Sequence, residues 1–505
     1  MKQKKNKIIN LILFAVLLLL LVLWSLLDFC IKQWDDLRFE TILRQLSLTM
    51  SGTDPGMVAL YFKKHFAPVA IIFLVVLALF IVTSVAKKKL KIKYRLFDKK
   101  SEFVFYSKVS KNAIIVSLAA LVLIGVNANR LGIFSYIDNR VHPSEIFEQY
   151  YVDARNTAIT FGEDKKNLIF IYAESIEAGY SSIEEGGASD FNYIPRLTQL
   201  AKENVNFSKT SKLGGGFDTK GTSDFTASAI IASSTGVPFL SGGGNNASML
   251  GQIMPGIDSL GDILKKNGYD NYFQCGSDAT FGSRREFYEQ HGDYDVEDYG
   301  YALSNGYIPE GYHNGFWGYE DLYLFDIAKK RLTDIASEGK PFNYTMLTVD
   351  THFPNGYRCD LCKNDWSNYY GNSLSCSDRQ ITDFVKWCET QPWYEDTLIV
   401  IVGDHTTMKE GFVKKGSDRV TYNCFVNPAD SVSLDNTKNR LFTTMDLLPT
   451  VLSGMGASID GDRLGLGTNL FSGKQTVTEE MGFENYMDEI NRFSKYYNKY
   501  IDMND

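Results

Sequence analysis

The sequence predicts an α/β protein in two parts, a membrane region of three apolar helices followed by an extracytoplasmic α/β domain on a largely parallel sheet. Three observations carry this. Apolar runs of membrane-spanning length are confined to the first quarter of the chain, three shorter apolar runs further on end abruptly in Glu, Asp, Thr or His, and helical patterns stand between those shorter runs. Strands alternating with helices point to a sandwich whose sheet is covered on both faces.

The long runs are Ile8 to Leu27, Phe66 to Ala86 and Ala113 to Ala128. Each approaches the roughly 20 residues that cross about 30 Å of hydrocarbon, the third only if it continues towards Phe134 past Arg130. The first has no small-residue cleavage site, so it reads as an anchor and not a signal peptide. Orientation follows from charge. Lys2, Lys4, Lys5 and Lys7 precede the first run, and the segment Lys87 to Lys111 holds ten basic against two acidic residues, whereas residues 28–65 balance at five and five. Basic loops stay in the cytoplasm, so the N-terminus and the second loop are expected inside and the chain from about residue 129 outside.

The expected organisation is a transmembrane region over 1–128, a linker with a short helix over 129–165, a large α/β domain over 166–470 and a helical, aromatic tail over 471–505. Residues 1–128 carry 19 basic and 7 acidic side chains; the other 377 carry 33 basic and 53 acidic, a balance of −20. A domain so charged repels phosphate backbones, which excludes a nucleic-acid binder. With 33 Phe, 29 Tyr and 41 Gly in the chain, a disordered acidic tail is excluded as well.

Within the domain, NLIFIYAES from Asn167, YTMLTVDTH (344–352) and TLIVIVGDH (397–405) read as buried strands. Helical patterns lie at IPRLTQLAKEN (194–204), SLGDILKKNG (259–268) and DRQITDFVKWCETQ (378–391). Ligands of open α/β sheets gather beyond the carboxyl ends of the strands, and those ends carry Glu174 with Ser175, Asp350 with His352, and Asp404 with His405. A carboxylate beside an imidazole suits Mn²⁺, Zn²⁺ or a similar ion better than Ca²⁺ or Mg²⁺, although such a pair, like Glu174, also serves as a structural cap. The segment GGGFDTKGTSDFTASAIIASSTGVPF (214–239) leads from a glycine-rich loop into an apolar helix from about Asp224 to Ser234, with Thr222, Ser223 and Thr226 at its first turn. A hydroxyl there is either a nucleophile in the field of free backbone N–H groups or an N-cap. Cys359, Cys362 and Cys376 share one short polar stretch; a local disulfide from Cys359 or Cys362 to Cys376 is expected, since no second C-x-x-C or nearby His pair completes a zinc site.

Taken together, IYAES, GTSDFTAS, SLGDILKKNGYDNYF, FGSRREFYEQHGDYD, LTVDTHFPNGY, SDRQITDFVKWCETQPWYEDTLIVIVGDH and DLLPTVL resemble the phosphoglycerol transferase branch of the alkaline phosphatase and sulfatase superfamily, with the lipoteichoic acid synthases as more distant relatives. The resemblance covers about residues 165–470. It implies an alkaline-phosphatase/sulfatase-like domain in which Glu174, the hydroxyl of GTSD, Asp404 and His405 hold one divalent metal, normally Mn²⁺. It implies Thr222 as nucleophile, with Ser223 (favoured by a gapless alignment) and Thr226 as alternates, and Arg284 and His352 as residues that hold the phosphoglycerol group. A tryptophan of the synthases two positions before that arginine is Gly282 here. The implied reaction moves phosphoglycerol from phosphatidylglycerol through a phosphothreonine intermediate to a cell-envelope glycan or polyglycerolphosphate acceptor, releasing diacylglycerol. The C-x-P-S-R motif of sulfatases is absent. Phosphoethanolamine transfer, hydrolysis of a phosphoester and a non-catalytic membrane-anchored sensor are the competing expectations.

Overall fold

A computed structural model describes residues 2–34, 37–49, 59–86, 90–96, 99–105, 109–240, 251–314, 317–409, 412–414 and 418–503. Two compact units divide the chain, Met1–Leu37 with Asp54–Ser135, and Arg38–Thr53 with Tyr136–Asp505.

The first unit is helical. Its elements, with a short helix that belongs to the other unit, are α1 (Lys2–Gln33), α2 (Phe39–Leu46, in the second unit), α3 (Ala67–Ala86) and α4 (Val109–Arg130). A further helix, α5 (Ile133–Val141), follows a break at Gly132. Phe14, Leu17 and Leu21 of α1 bury against Val69 of α3, and the Phe14 and Phe73 rings meet edge to face at 6.1 Å. Among the described residues, Ile12–Gln33 and Ala59–Ala78 are long and apolar enough to cross a membrane, and the bent pair Ser117–Arg130 with Ile133–Val141 makes a third only if both arms are counted as one span. Between α3 and α4 the basic loop contains a hairpin, β1 (Leu90–Leu96) and β2 (Lys99–Phe105), paired antiparallel from Leu90 opposite Phe105 to Leu96 opposite Lys99. The alternation in LKIKYRL is a strand pattern that charge counting passes over.

The second unit is built on a seven-stranded sheet. In chain order its strands are β3 (Ile159–Thr160), β4 (Asn167–Ala173), β5 (Gly215–Gly216), β6 (Asp270–Cys275), β7 (Asp295–Glu297), β8 (Phe342–Leu347), β9 (Thr397–Gly403), β10 (Thr421–Val426), β11 (Ser458–Ile459), β12 (Arg463–Leu464) and β13 (Gly467–Thr468). The main sheet has the order β5-β10-β9-β4-β8-β6-β7. From β9 to β7 all neighbours are parallel, and β10 and β5 add antiparallel strands at one edge. Leu168, Phe170 and Tyr172 of β4 enter one core with Leu398, Val400 and Val402 of β9, while Ile169 and Ile171 enter the opposite core with Ile399 and Ile401. Because successive side chains alternate between faces and both faces are covered, the strands read as continuous apolar runs.

The helices that cover the sheet follow from their apolar stripes. On one face lie α6 (Pro195–Glu203), with the later helices Asp321–Ser337 and Tyr369–Glu389; on the other lie α7 (Thr226–Thr235), α8 (Arg284–Gln290) and the helix Leu447–Gly454. Segment 129–165 differs from a free tether: Ile146 and Phe147 are buried in the core, and β3 pairs with β11. The tail is packed too, with Tyr486, Ile490, Tyr497 and Ile501 buried; its last two residues lie outside the described ones. α2 belongs to this unit by its contacts. Thr41 donates to Asp224 Oδ2 at 2.9 Å, and Thr49 meets the loop before α8 through Thr49 N to Ser283 Oγ (2.9 Å) and Gly282 N to Thr49 O (2.9 Å).

Candidate active site

The carboxyl ends of four parallel strands supply the chemistry: Glu174 after β4, Ser277 and Arg284 after β6, His352 after β8, and Asp404 with His405 after β9. The turn after β4 is tight. Ser175 adopts φ +53°, a left-handed conformation uncommon outside glycine, and it is held there by its N–H to Asp404 Oδ1 (2.8 Å) and its hydroxyl to Glu174 Oε1 (2.7 Å). Gly403 ends β9 because a Cβ there would stand 1.9 Å from the carbonyl oxygen of Ile176. That close approach brings the two strand ends, and so Glu174 and Asp404, together.

Glu174, Asp404 and His405 are each only 2% exposed. His405 Nε2 stands 3.6 Å from Glu174 Oε1 and 3.5 Å from Asp404 Oδ2, and one donor atom of each residue lies within 4.8 Å of the others. His405 Nδ1 faces the carbonyl of Thr406 at 2.9 Å, which keeps the proton on that nitrogen and turns the Nε2 lone pair inward. Asp404 Oδ1 accepts from Ser175 and from the His405 N–H, while Asp404 Oδ2 is buried with no hydrogen-bond partner. A buried, unpartnered carboxylate oxygen facing a carboxylate and an imidazole lone pair fits a divalent cation. Without one, burial and then the Glu174 charge push the Asp404 carboxyl up to about 7, and Asp404 and Glu174 hold the His405 imidazolium above its usual range against the opposing effect of burial.

The hydroxyl that joins this group belongs to Thr226. Its Oγ1 lies 3.2 Å from Glu174 Oε2 and 3.4 Å from His405 Nε2, and its side chain is partly exposed at the first residue of α7. Thr222 and Ser223 do not reach the group. Their N–H groups both donate to Thr219 O at 2.9 Å, Thr222 Oγ1 bonds Thr219, and Ser223 Oγ accepts from Thr219 N at 2.8 Å. Both are fully buried. The physical reason is the closed turn Thr219–Ser223, which delays the helix start beyond the expected Asp224 and places Thr226, one of the alternates, where Thr222 was expected.

Arg284 is fixed by its own loop: Nε donates to Phe281 O (2.9 Å), and one terminal nitrogen to Ser277 Oγ (3.0 Å) and Asp278 O (2.8 Å). The Trp317 ring connects this loop to His352, at 5.2 Å from Phe281 and 5.0 Å from the His352 ring. Position 282 carries no aromatic ring; it is a glycine at φ +67°, with Ala227 3.3 Å from where a Cβ would lie, and the ring in this neighbourhood is Trp317 from another segment. Burial pushes the His352 imidazole down to about 4, with His405 and Arg284 charges adding to the effect. His352 Nδ1 faces Phe353 O at 2.8 Å, so Nε2 is the lone-pair nitrogen.

Sequence reasoning missed the braces around the site. Asp218 Oδ2 accepts from Thr406 N and Thr406 Oγ1, both at 2.8 Å, and Lys220 Nζ donates to Thr406 Oγ1 at 3.0 Å. Glu177 accepts from Thr407 N at 2.7 Å and pairs with Arg419. These hold the irregular segment following His405, and nothing in local spacing marks them.

A family profile described as Sulfatase matches residues 166–457, more than half of the chain. The chain belongs to the Sulfatase family. It is 31% identical over 341 residues to phosphoglycerol transferase I of Salmonella choleraesuis (strain SC-B67) and 30% identical over the same length to phosphoglycerol transferase I of Escherichia coli (strain K12), covering 66% of this chain in each case. The matches span 42% of the length of those relatives. Among solved structures, the integral membrane protein lipooligosaccharide phosphoethanolamine transferase A from Neisseria meningitidis shares the fold, with a TM-score of 0.51 and 13% identity over 88% of this chain and 84% of that one.

Proposed function

We propose that this Sulfatase-family protein is a membrane-bound phosphotransferase that moves phosphoglycerol from phosphatidylglycerol to a cell-envelope glycan or teichoic acid acceptor, releasing diacylglycerol. The observation that carries the reading is the Thr226 hydroxyl beside Glu174, His405 and the unpartnered Asp404 Oδ2. The names of the Salmonella and Escherichia relatives support the choice of phosphoglycerol as the group moved. The basic N-terminus and second loop support a cytoplasmic N-terminus and an extracytoplasmic site.

Glu174, Asp404, His405 and Thr226 would hold a divalent ion, Mn²⁺ in this reading, which would supply positive charge to the phosphoryl oxygens and make the Thr226 hydroxyl more acidic. As Thr226 Oγ1 bonds to phosphorus the P–O bond to diacylglycerol breaks, and the proton lost by the threonine hydroxyl is the one taken up by the departing diacylglycerol oxygen. Thr226 sits at the first residue of α7, so unpaired N–H groups of the first helical turn add to the positive field around it. Arg284 neutralises a second phosphoryl oxygen, and neutral His352 accepts a hydrogen bond from a glycerol hydroxyl at Nε2. An acceptor hydroxyl oxygen then bonds to phosphorus, the bond from phosphorus to Thr226 Oγ1 breaks, and the acceptor's proton restores the threonine hydroxyl.

The test uses the full chain in detergent with Mn²⁺ and head-group-labelled lipid, without acceptor. Labelled phosphatidylglycerol is expected to release diacylglycerol and leave a phosphoglycerol adduct on Thr226; Thr226→Ala abolishes both, and Thr222→Ala retains both. An adduct on Thr222 or Ser223 overturns the nucleophile. Labelling from phosphatidylethanolamine in place of phosphatidylglycerol replaces this donor with the phosphoethanolamine alternative.

A further inference from the structure

A second cluster of donors lies apart from the catalytic group in sequence. Cys359, Cys362 and Cys376 converge, Cys359 and Cys362 from the loop after β8 and Cys376 from the helix Tyr369–Glu389. Cys359 Sγ stands 3.8 Å from Cys362 Sγ and 3.8 Å from Cys376 Sγ, so the expected local disulfide is not formed and all three are free thiols. An S–S bond is about 2.05 Å long, whereas sulfurs at the corners of a tetrahedron with metal–sulfur distances of about 2.3 Å are about 3.8 Å apart. The spacing is therefore that of thiolates around a common centre.

Three further features agree. The Cys362 N–H closes a turn onto Cys359 O at 3.0 Å. Gln380, one turn along the helix from Cys376 and 8% exposed, places its amide 3.6 Å from Cys376 Sγ and 3.9 Å from Cys359 Sγ, and its Oε1 is buried without a partner. Amide nitrogen and oxygen are interchangeable by a half-turn of the group. That turn puts the oxygen on the side of Cys376 Sγ and Cys359 Sγ. Arg379 Nη2 and Arg358 Nε, adjacent in sequence to Gln380 and Cys359, are buried without partners.

We propose that Cys359, Cys362 and Cys376, with the Gln380 amide oxygen as a weak fourth donor, bind one zinc ion that clips the loop carrying His352 to the helix Tyr369–Glu389. Soft thiolates select zinc over the harder ions suited to the Glu174, Asp404 and His405 group. The site is independent of the transferase reading, since it uses none of the catalytic donors.

The test is made on full-length protein purified in detergent without chelator and loaded with zinc alone. Zinc is expected to protect all three cysteines from alkylation, with protection lost on chelation. Cobalt is expected to give a thiolate charge-transfer band that Cys362→Ser and Cys376→Ser abolish, that His405→Ala leaves intact, and that Gln380→Ala weakens. A disulfide between two of the three cysteines in freshly purified protein, or alkylation unaffected by zinc in the unmutated chain, overturns the proposal without dependence on any variant folding.

Discussion

The two donor clusters of the large unit are built in opposite ways. Glu174 and the Asp404–His405 pair come from separate strand ends and meet only when the parallel sheet forms, whereas Cys359, Cys362 and Cys376 come from one loop and the helix it leads into. The first cluster is of oxygen and nitrogen donors and is completed by a hydroxyl from yet another element, Thr226. The second is of sulfur. The difference teaches that damage to one donor of the first cluster should leave the fold and the second cluster intact, whereas damage to the second should reach catalysis only through the position of His352.

The largest effect is expected from Asp404→Asn. It removes the unpartnered, buried carboxylate charge and one of about four donors, so turnover should fall by about 10³-fold or more, by analogy with loss of a main charge-stabilising group. Metal analysis should show the catalytic ion weakened and cysteine-dependent zinc unchanged. Loss of both ions together would mean that the two clusters are one cooperative unit and would break the comparison.

Cys376→Ser should act less strongly and differently. The loop from His352 is tied down by Gly356 N to His352 O (2.9 Å), Tyr357 N to Asp350 O (2.7 Å) and Ser373 Oγ to Tyr357 O (2.9 Å), and the cysteine cluster is the next tether along the chain. Releasing it should raise KM for the lipid donor by about 10-fold, within the range seen when supporting residues around a site are removed, and change kcat less. An unchanged KM with zinc lost would confine the cluster to stability.

The parts of this arrangement that the sequence discloses are those where one residue's neighbours decide its role. Apolar runs that stop in Glu174, Asp404 and His405 mark buried strands whose charged ends serve as a site or as caps, because both-face burial makes the run continuous up to the strand end. Thr226 could not be separated from Thr222 because the helix start depends on the turn in which Thr219 bonds Thr222 and Ser223. The C-x-x-C pair was visible, but its Gln380 neighbour comes from a helix that must first be docked. Trp317 near His352, α2 beside Asp224, and the packing of Tyr486 and Tyr497 are tertiary facts with no local pattern.

His352 offers a smaller effect, read through pH. Its folded-state value is pushed down to about 4 by burial from an ordinary 6.5, so between those values the unfolded chain binds a proton that the folded chain does not. Stability contributed by the neutral ring is present above about 6.5 and is lost as pH falls towards 4. His352→Asn should flatten the fall of the unfolding midpoint in that window by up to one proton's worth of slope, leaving the midpoint at pH 8 little changed. An identical slope in both proteins would mean that the ring is solvated enough to titrate normally.

The smallest effect tests whether the catalytic unit extends back between the first two apolar helices. Thr41 and Asp224 are far apart in sequence, yet Thr41 is fully buried and donates to Asp224 Oδ2 at 2.9 Å, while Gly221 N donates to the same oxygen at 2.9 Å. Asp224 stands two residues before Thr226, so α2 braces the turn that leads to the Thr226 hydroxyl. Thr41→Val keeps the shape and removes one hydrogen bond to a charged acceptor, a loss of about 1.5–3 kcal/mol when the partner stays buried. Gly221 N still holds Asp224, so the turn should survive, with a lower unfolding midpoint and turnover reduced only slightly. The same midpoint in both proteins would mean that α2 lies against this unit without stabilising it; a loss of turnover as large as that of Asp404→Asn would mean that the contact sets the Thr226 hydroxyl directly, and that the catalytic cluster is assembled from the juxtamembrane chain as well as from the sheet.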